Sequence, residues 1–212
     1  MAPARFITFE GGEGAGKSTQ IKLLSRRLTS DGVEHVATRE PGGTERGLKL
    51  RELLVTGAAD RWPPMAEALM MLADRAIHLE DMIRPNLEQG IWVLCDRYMD
   101  STRAYQGVAG ALGLDMIDHL QAPIIGTTLP DLTFLMDLPP QIGLERAAER
   151  GGAARFEAKG LAYHEKIRAG FLTMAETDSE RFVVIDATED VETIAGHVFA
   201  HIEGRFGVQG NG

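Results

Sequence analysis

The stretch Gly11-Gly12-Glu13-Gly14-Ala15-Gly16-Lys17-Ser18 constrains this chain more than any other. It satisfies the phosphate-loop pattern G-x-x-x-x-G-K-[ST] at every fixed position. Before it, Arg5 to Glu10 (RFITFE) reads as a strand; after it, Thr19 to Ser30 places Ile21, Leu24 and Leu28 on one helical stripe. Phosphate binding needs this order of strand, glycine loop and helix. Glycines let successive backbone N–H groups turn inward, and the helix N-terminus adds partial positive charge at the same point. Lys17 can then reach the β- and γ-phosphates of a nucleotide, and the Ser18 hydroxyl can ligate Mg²⁺. The plain alternative is a chance glycine turn before a helix, which the flanking strand and helix disfavour.

With 212 residues, 44% hydrophobic and 25% charged, the chain has room for one α/β domain and a sizeable core. We expect one domain over 1–206 and a disordered tail over 207–212. No apolar run is long enough to span a membrane, and the N-terminus lacks the basic, apolar and cleavage segments of a signal peptide. The single cysteine, Cys95, cannot form an internal disulfide. A cytoplasmic protein is expected. The net charge of −9 argues against a nucleic-acid surface.

Further along, 33–38 reads as a second strand that runs into Arg39-Glu40-Pro41-Gly42-Gly43-Thr44, where Pro-Gly-Gly forces a turn. An arginine at a strand's carboxyl end is placed for a ligand, although a surface loop would look the same. Glu45 to Leu54 has helical spacing. A long helix is predicted over 65–86, with Met65, Leu69, Leu72, Ala76, Leu79 and Ile83 as its core stripe and Met71 and Arg75 together on another face. Ile91 to Asp96 is an apolar run ending in a carboxylate. This suits a buried parallel strand whose Asp96 either helps hold Mg²⁺ or caps a helix. The polar run Arg97 to Gly107 follows it directly. A short helix over 114–121, a loop over 123–130, strands over 131–137 and 182–186, and helices over 141–150, 161–176 and the final stripe Val191, Ile194, Val198, Ile202 complete the chain. Between two of these helices, Arg150 and Arg155 bracket glycine and alanine residues. That is either a lid over phosphates, about 150–160, or a solvent-exposed turn. Five β-runs separated by helices predict an α/β fold, a parallel sheet covered on both faces. Right-handed crossovers would gather Lys17, Arg39, Asp96, Arg97 and the run to Gln106 at one edge.

Over nearly its whole length the sequence resembles the thymidylate kinases, which phosphorylate dTMP to dTDP with ATP. The resemblance rests on Phe9-Glu10-Gly11 through Thr19, on Thr38-Arg39-Glu40-Pro41-Gly42-Gly43-Thr44, on Asp96-Arg97-Tyr98 with Ser101, Thr102 and Ala104-Tyr105-Gln106-Gly107, and on Pro130 to Thr133 and Tyr163-His164. It implies the P-loop nucleoside monophosphate kinase fold with a short lid, a role in dTTP synthesis, and a homodimer. ATP would bind along Gly11, Gly12, Glu13, Gly14, Ala15, Gly16, Lys17, Ser18 and Thr19. Mg²⁺, carried with ATP, would sit at Ser18 and Asp96. Arg39 and Arg97 would hold the dTMP phosphate, and Glu13 would accept from the sugar 3′-hydroxyl. Arg75 would donate to a thymine carbonyl. Ser101, Thr102 and Gln106 would face the nucleoside, and Tyr105 would crowd the place of a ribose 2′-hydroxyl. Met71 stands where many members carry a phenylalanine over the base. Gly14 stands where one branch of the family carries an arginine. The other branch supplies that charge from its lid, which points to Arg155 first and Arg150 second. With Lys17 and Arg97 these form the expected catalytic set.

The acceptor would be a phosphate oxygen already ionised at neutral pH, so no general base is needed; positioning and charge neutralisation suffice. The nearest rival is another nucleoside or deoxynucleoside monophosphate kinase. A switch GTPase would need a guanine-reading N-K-x-D segment, which the sequence lacks. A DNA-partitioning ATPase would need a basic patch.

Overall fold

The computed structural model describes residues 3–149 and 155–208. Five strands, β1 (Phe6–Glu10), β2 (His35–Arg39), β3 (Trp92–Asp96), β4 (Leu132–Asp137) and β5 (Phe182–Asp186), form one sheet in the order β2-β3-β1-β4-β5, every pairing parallel. β1, β3 and β4 are apolar nearly throughout because both sheet faces are covered. Alternate side chains feed two sides. Ile7, Phe9, Leu94, Phe134 and Met136 pack with Leu24 and Leu28 of α1 (Lys17–Ser30) and Val198 and Ile202 of α9 (Val191–Phe206). On the other face Phe6, Val93 and Cys95 form one cluster with Leu79 and Ile83. Leu135 and Phe182 form another with Ile167 and Phe171 of α8 (Leu161–Thr177).

The remaining helices are α2 (Glu45–Val55), α3 (Pro64–His78), α4 (Arg84–Glu88), α5 (Met99–Thr102), α6 (Leu114–Ile125) and α7 (Pro140–Glu149). The predicted long helix is present, but a π-helical turn over Leu79–Ile83 joins α3 to α4. Its expected core stripe holds only in part. Leu72, Leu79 and Ile83 are buried, whereas Leu69 is 50% exposed and Ala76 lies on the surface. The buried face of α3 instead carries Glu67, Asp74, Arg75 and His78. The wider turn shifts the helix phase only from Leu79 onward; within α3 the charged residues are buried because each finds a partner from elsewhere in the chain, Glu67 in Arg155, Asp74 in the Gly42 N–H, and Arg75 and His78 in Glu40. The polar run after β3 is helical too: α5 passes into a π-helical segment, Arg103–Ala109. α6 continues through Pro123 to Ile125, where a loop was predicted. The proline falls in the last turn, where its missing N–H removes only one bond before the helix ends. Gly207, expected in a disordered tail, is the left-handed C-cap of α9, and Val208 packs against the first core cluster; 209–212 lie outside the described residues.

Candidate active site

β1, β2 and β3 deliver the predicted residues to the carboxyl edge of the sheet. β1 leads into the glycine loop, where Gly11, Gly14 and Gly16 have φ of 131°, 69° and 83°, a region that disfavours side chains. A Cβ on Gly11 would lie 2.5 Å from the carbonyl oxygen of Met136, and one on Gly14 2.1 Å from that of Gly143. The loop is therefore seated backbone to backbone on the end of β4 and the first turns of α7. Position 14 has no room for an arginine. Lys17 Nζ donates to the carbonyls of Gly12 (2.7 Å) and Gly11 (3.2 Å). Burial, reinforced by the charge of Arg97, pushes its pKa down to about 8. Ser18 Oγ donates to Asp96 Oδ2 at 2.5 Å. Two hard oxygen donors at a helix N-terminus fit Mg²⁺, which keeps waters and phosphate oxygens as its other ligands. Among the described residues no group of three or more His, Cys, Asp or Glu side chains is placed to hold a metal ion.

Arg97 leaves β3 with φ 71°, an unusual conformation for a bulky residue, and its N–H bonds to Phe9 O at 2.9 Å. That twist points the guanidinium back across the sheet. It donates to Gly11 O (2.8 Å), Ser101 Oγ (3.1 Å) and Glu13 Oε1 (3.0 Å), and lies over the Tyr105 ring. Tyr105 also donates to Glu13 Oε1 at 2.8 Å. Burial alone would raise the pKa of Glu13, but Arg97, Lys17 and the Tyr105 hydroxyl outweigh it and bring the carboxyl down to about 2. Beneath them Glu10, fully buried, accepts from the N–H and hydroxyl of Ser101 (3.3 and 2.6 Å) and the N–H of Tyr98 (2.7 Å). Burial and the nearby Asp100 push its pKa up to about 7.

Two cavities meet here. One lies over Gly14–Thr19 with Arg39 and Asp96 in its wall. The other is lined by Met71, Arg75, Ser101, Thr102, Tyr105 and Gln106. Glu13, Glu40, Arg51 and Arg97 line both. Met71 and Arg75, predicted to act together, do share one cavity wall. Arg75 is committed internally: it donates to Glu40 (2.9 Å), Gln121 (3.3 Å), Tyr98 O (2.8 Å) and Thr102 Oγ1 (3.0 Å). Glu40 also bonds His78 Nδ1 at 2.9 Å; despite burial, the charge of Arg75 and the His78 bond keep its pKa below the usual range. Asp74 accepts from Gly42 N with both oxygens (3.0 and 3.2 Å), and burial with the charge of Glu40 pushes its pKa up to about 6. This network fixes the Arg39–Thr44 loop on α3.

Arg51 was not anticipated. It extends from α2 to the boundary of the two cavities and donates to Pro41 O at 2.7 Å rather than to a carboxylate. Burial and the like charges of Arg39 and Arg97 hold its pKa below the arginine value. Its motif is silent, but its spacing four residues after the buried Gly47 and three before the buried Leu54 could have placed it inward.

Arg155, the first choice for a phosphate-facing lid residue, stands elsewhere. Its side chain is buried, donates to Ala58 O (3.1 Å) and Leu54 O (3.0 Å), and pairs with Glu67; it lines neither cavity. Five donors in a planar fork suit such carbonyl capture. Arg150 lies outside the described residues. Glu67 was also missed, although Glu67, Met71, Asp74, Arg75 and His78 recur at helical spacing. It accepts from Arg155, from Lys159 (3.3 Å) and, at Oε1, from Gln106 Nε2 (2.8 Å).

The family model for thymidylate kinase matches residues 9–198. The chain is 50% identical to the thymidylate kinase of Caulobacter vibrioides over 208 residues, which is 98% of this chain and all of that one. It is 48% identical to that of Magnetococcus marinus over 95% of this chain and 97% of the other. The crystal structure of thymidylate kinase from Ehrlichia chaffeensis superposes with a TM-score of 0.76 at 31% identity, covering 95% of this chain and 99% of that one. The glycine loop, the arginines at the sheet edge and these likenesses agree: the chain belongs to the thymidylate kinase family.

Proposed function

We propose that this protein transfers the γ-phosphoryl group of ATP to dTMP, giving dTDP for dTTP synthesis. The observation that carries this is the boundary between the cavities, where Arg51 and Arg97 line both and Arg39 stands in the wall of the glycine-loop cavity beside them. A phosphate monoester reaching it from the Met71–Gln106 side meets the glycine loop on the other. Arg39, Arg51 and Arg97 bind and orient the acceptor phosphate, whose oxygen attacks without a base. Glu13, ionised and oriented by Arg97 and Tyr105, accepts from the sugar 3′-hydroxyl. The Tyr105 ring limits space beside it, which favours deoxynucleotides. Met71 covers one face of the base. Lys17 exchanges its loop carbonyls for β- and γ-phosphate oxygens. Ser18 and Asp96 would hold Mg²⁺, which when bound neutralises charge on the donor phosphates. Arg155 anchors the segment before α8 to α2 and α3, and Arg150 supplies the transition-state charge.

Among the described residues no helix is long and apolar enough to cross a membrane. As a separate proposal, a role in dTTP synthesis calls for a cytoplasmic enzyme. The outer side of α3, with Leu69 half exposed and Ala73 and Ala76 on the surface, supports a homodimer, which light scattering would measure. The activity is tested with ATP-Mg and a panel of dTMP, dUMP, dCMP, dGMP and thymidine. We expect dTMP to have the highest kcat/KM; a preference for another monophosphate, or for the nucleoside, overturns the proposal.

A further inference from the structure

Gln106 lines the nucleoside cavity and is buried. A primary amide has one donating and one accepting end, and which end faces the cavity decides which base edge it can read. Here a second residue makes the choice. Glu67 Oε1 lies 2.8 Å from the Gln106 amide nitrogen. A carboxylate can only accept, so Nε2 must face Glu67, and Oε1, for which no partner occurs among the described residues, is left to the cavity. Glu67 cannot turn away. Its other oxygen is held by Arg155, whose guanidinium is itself pinned by the carbonyls of Leu54 and Ala58, and by Lys159 at 3.3 Å.

We propose that Glu67 is a positioning residue for base selection: it locks the Gln106 amide so that an acceptor faces the base. The ligand edge that fits is a lactam N–H, as in thymine and uracil. Cytosine presents an acceptor at that ring nitrogen and would meet the amide oxygen as a like partner. This rests on the reading that the base of dTMP enters the Met71–Gln106 cavity.

Glu67→Gln tests it sharply. Arg155 and Lys159 carry donors only, so the new amide must turn its oxygen to them and its nitrogen to Gln106. Gln106 then has to reverse and present Nε2 to the base. The expected result is a kcat/KM for dTMP and dUMP that falls together by tenfold or more, while that for dCMP, whose ring nitrogen now meets a donor, holds or rises, so the dTMP-to-dCMP ratio drops by at least the same factor. Glu67→Asp, which keeps an acceptor, should preserve the ratio. Glu67→Ala, which frees the amide to take both orientations, should lower it by less and serves if the glutamine variant does not fold; melting curves establish folding for each. A uniform loss for all three nucleotides, or an unchanged dTMP-to-dCMP ratio in Glu67→Gln, overturns the proposal. Gln106→Ala separates the two levels. If it leaves the ratio of the wild-type enzyme intact, the base does not meet Gln106 and the underlying reading fails instead.

Discussion

Replacing Arg155 by alanine separates two physical roles. In the structure its guanidinium donates to Leu54 O and Ala58 O and pairs with Glu67, all within the protein interior. Removing one partner of a buried ion pair costs about 3–5 kcal/mol. Each carbonyl left without a donor adds roughly 1 kcal/mol. Lys159, 3.3 Å from Glu67, recovers part of the charge loss, so the lower end of the range applies. For a chain of this size that corresponds to a fall in Tm of roughly 10 °C. Because Glu67 also holds Gln106, the KM for dTMP should rise, while kcat measured well below the new Tm should change little. A residue that touched the migrating phosphoryl group would behave in the opposite way, losing on the order of 10³-fold in kcat with its Tm intact. Thermal denaturation and steady-state kinetics on the same preparation decide it. An unchanged Tm with a collapsed kcat would refute the anchoring role. The companion variant Arg150→Ala is expected to show that second pattern.

Three further outcomes follow from the site. Glu10 has a folded-state pKa of about 7 against an ordinary 4.5, so the folded protein holds a proton that the unfolded chain has released. Its contribution to stability is therefore greatest below the unfolded value and declines as pH rises toward 7, with a limiting slope of about 1.4 kcal/mol per pH unit. Denaturant unfolding between pH 5 and 7.5 should show a pH slope that Glu10→Gln reduces; identical slopes would count against it. Lys17 sits near pKa 8 when no phosphate is bound. Binding of an ATP analogue at pH 8 should therefore take up roughly half a proton, measurable by calorimetry in buffers of different ionisation heat; proton release would be the wrong sign. Arg51→Ala should weaken dTMP binding by about tenfold or more while leaving thymidine binding nearly unchanged, because a charge-assisted contact to phosphate is worth roughly 1.5–3 kcal/mol.

Much of the fold was written in local pattern. The glycine loop between an apolar strand and an amphipathic helix, and apolar runs ending in Asp96 and Asp137, determine a parallel sheet with its site at the carboxyl edge. The ligand set of the P-loop, Arg39 and the Arg97–Gln106 run is local too, because contiguous residues share one strand end. What sequence spacing misplaced was the helix after Pro64. Hydropathy assigns Leu69 and Ala76 to the core, yet burial goes to Glu67, Asp74, Arg75 and His78, whose partners Glu40, Gly42, Gln106 and Arg155 are distant in the chain. A charge is buried only when its counter-charge or donor arrives with it, and that arrival is a property of the assembled fold. The same holds for Arg155. Its glycine-rich neighbourhood made it resemble a phosphate-facing arginine, and only the packed ends of α2 and α3 turned it inward.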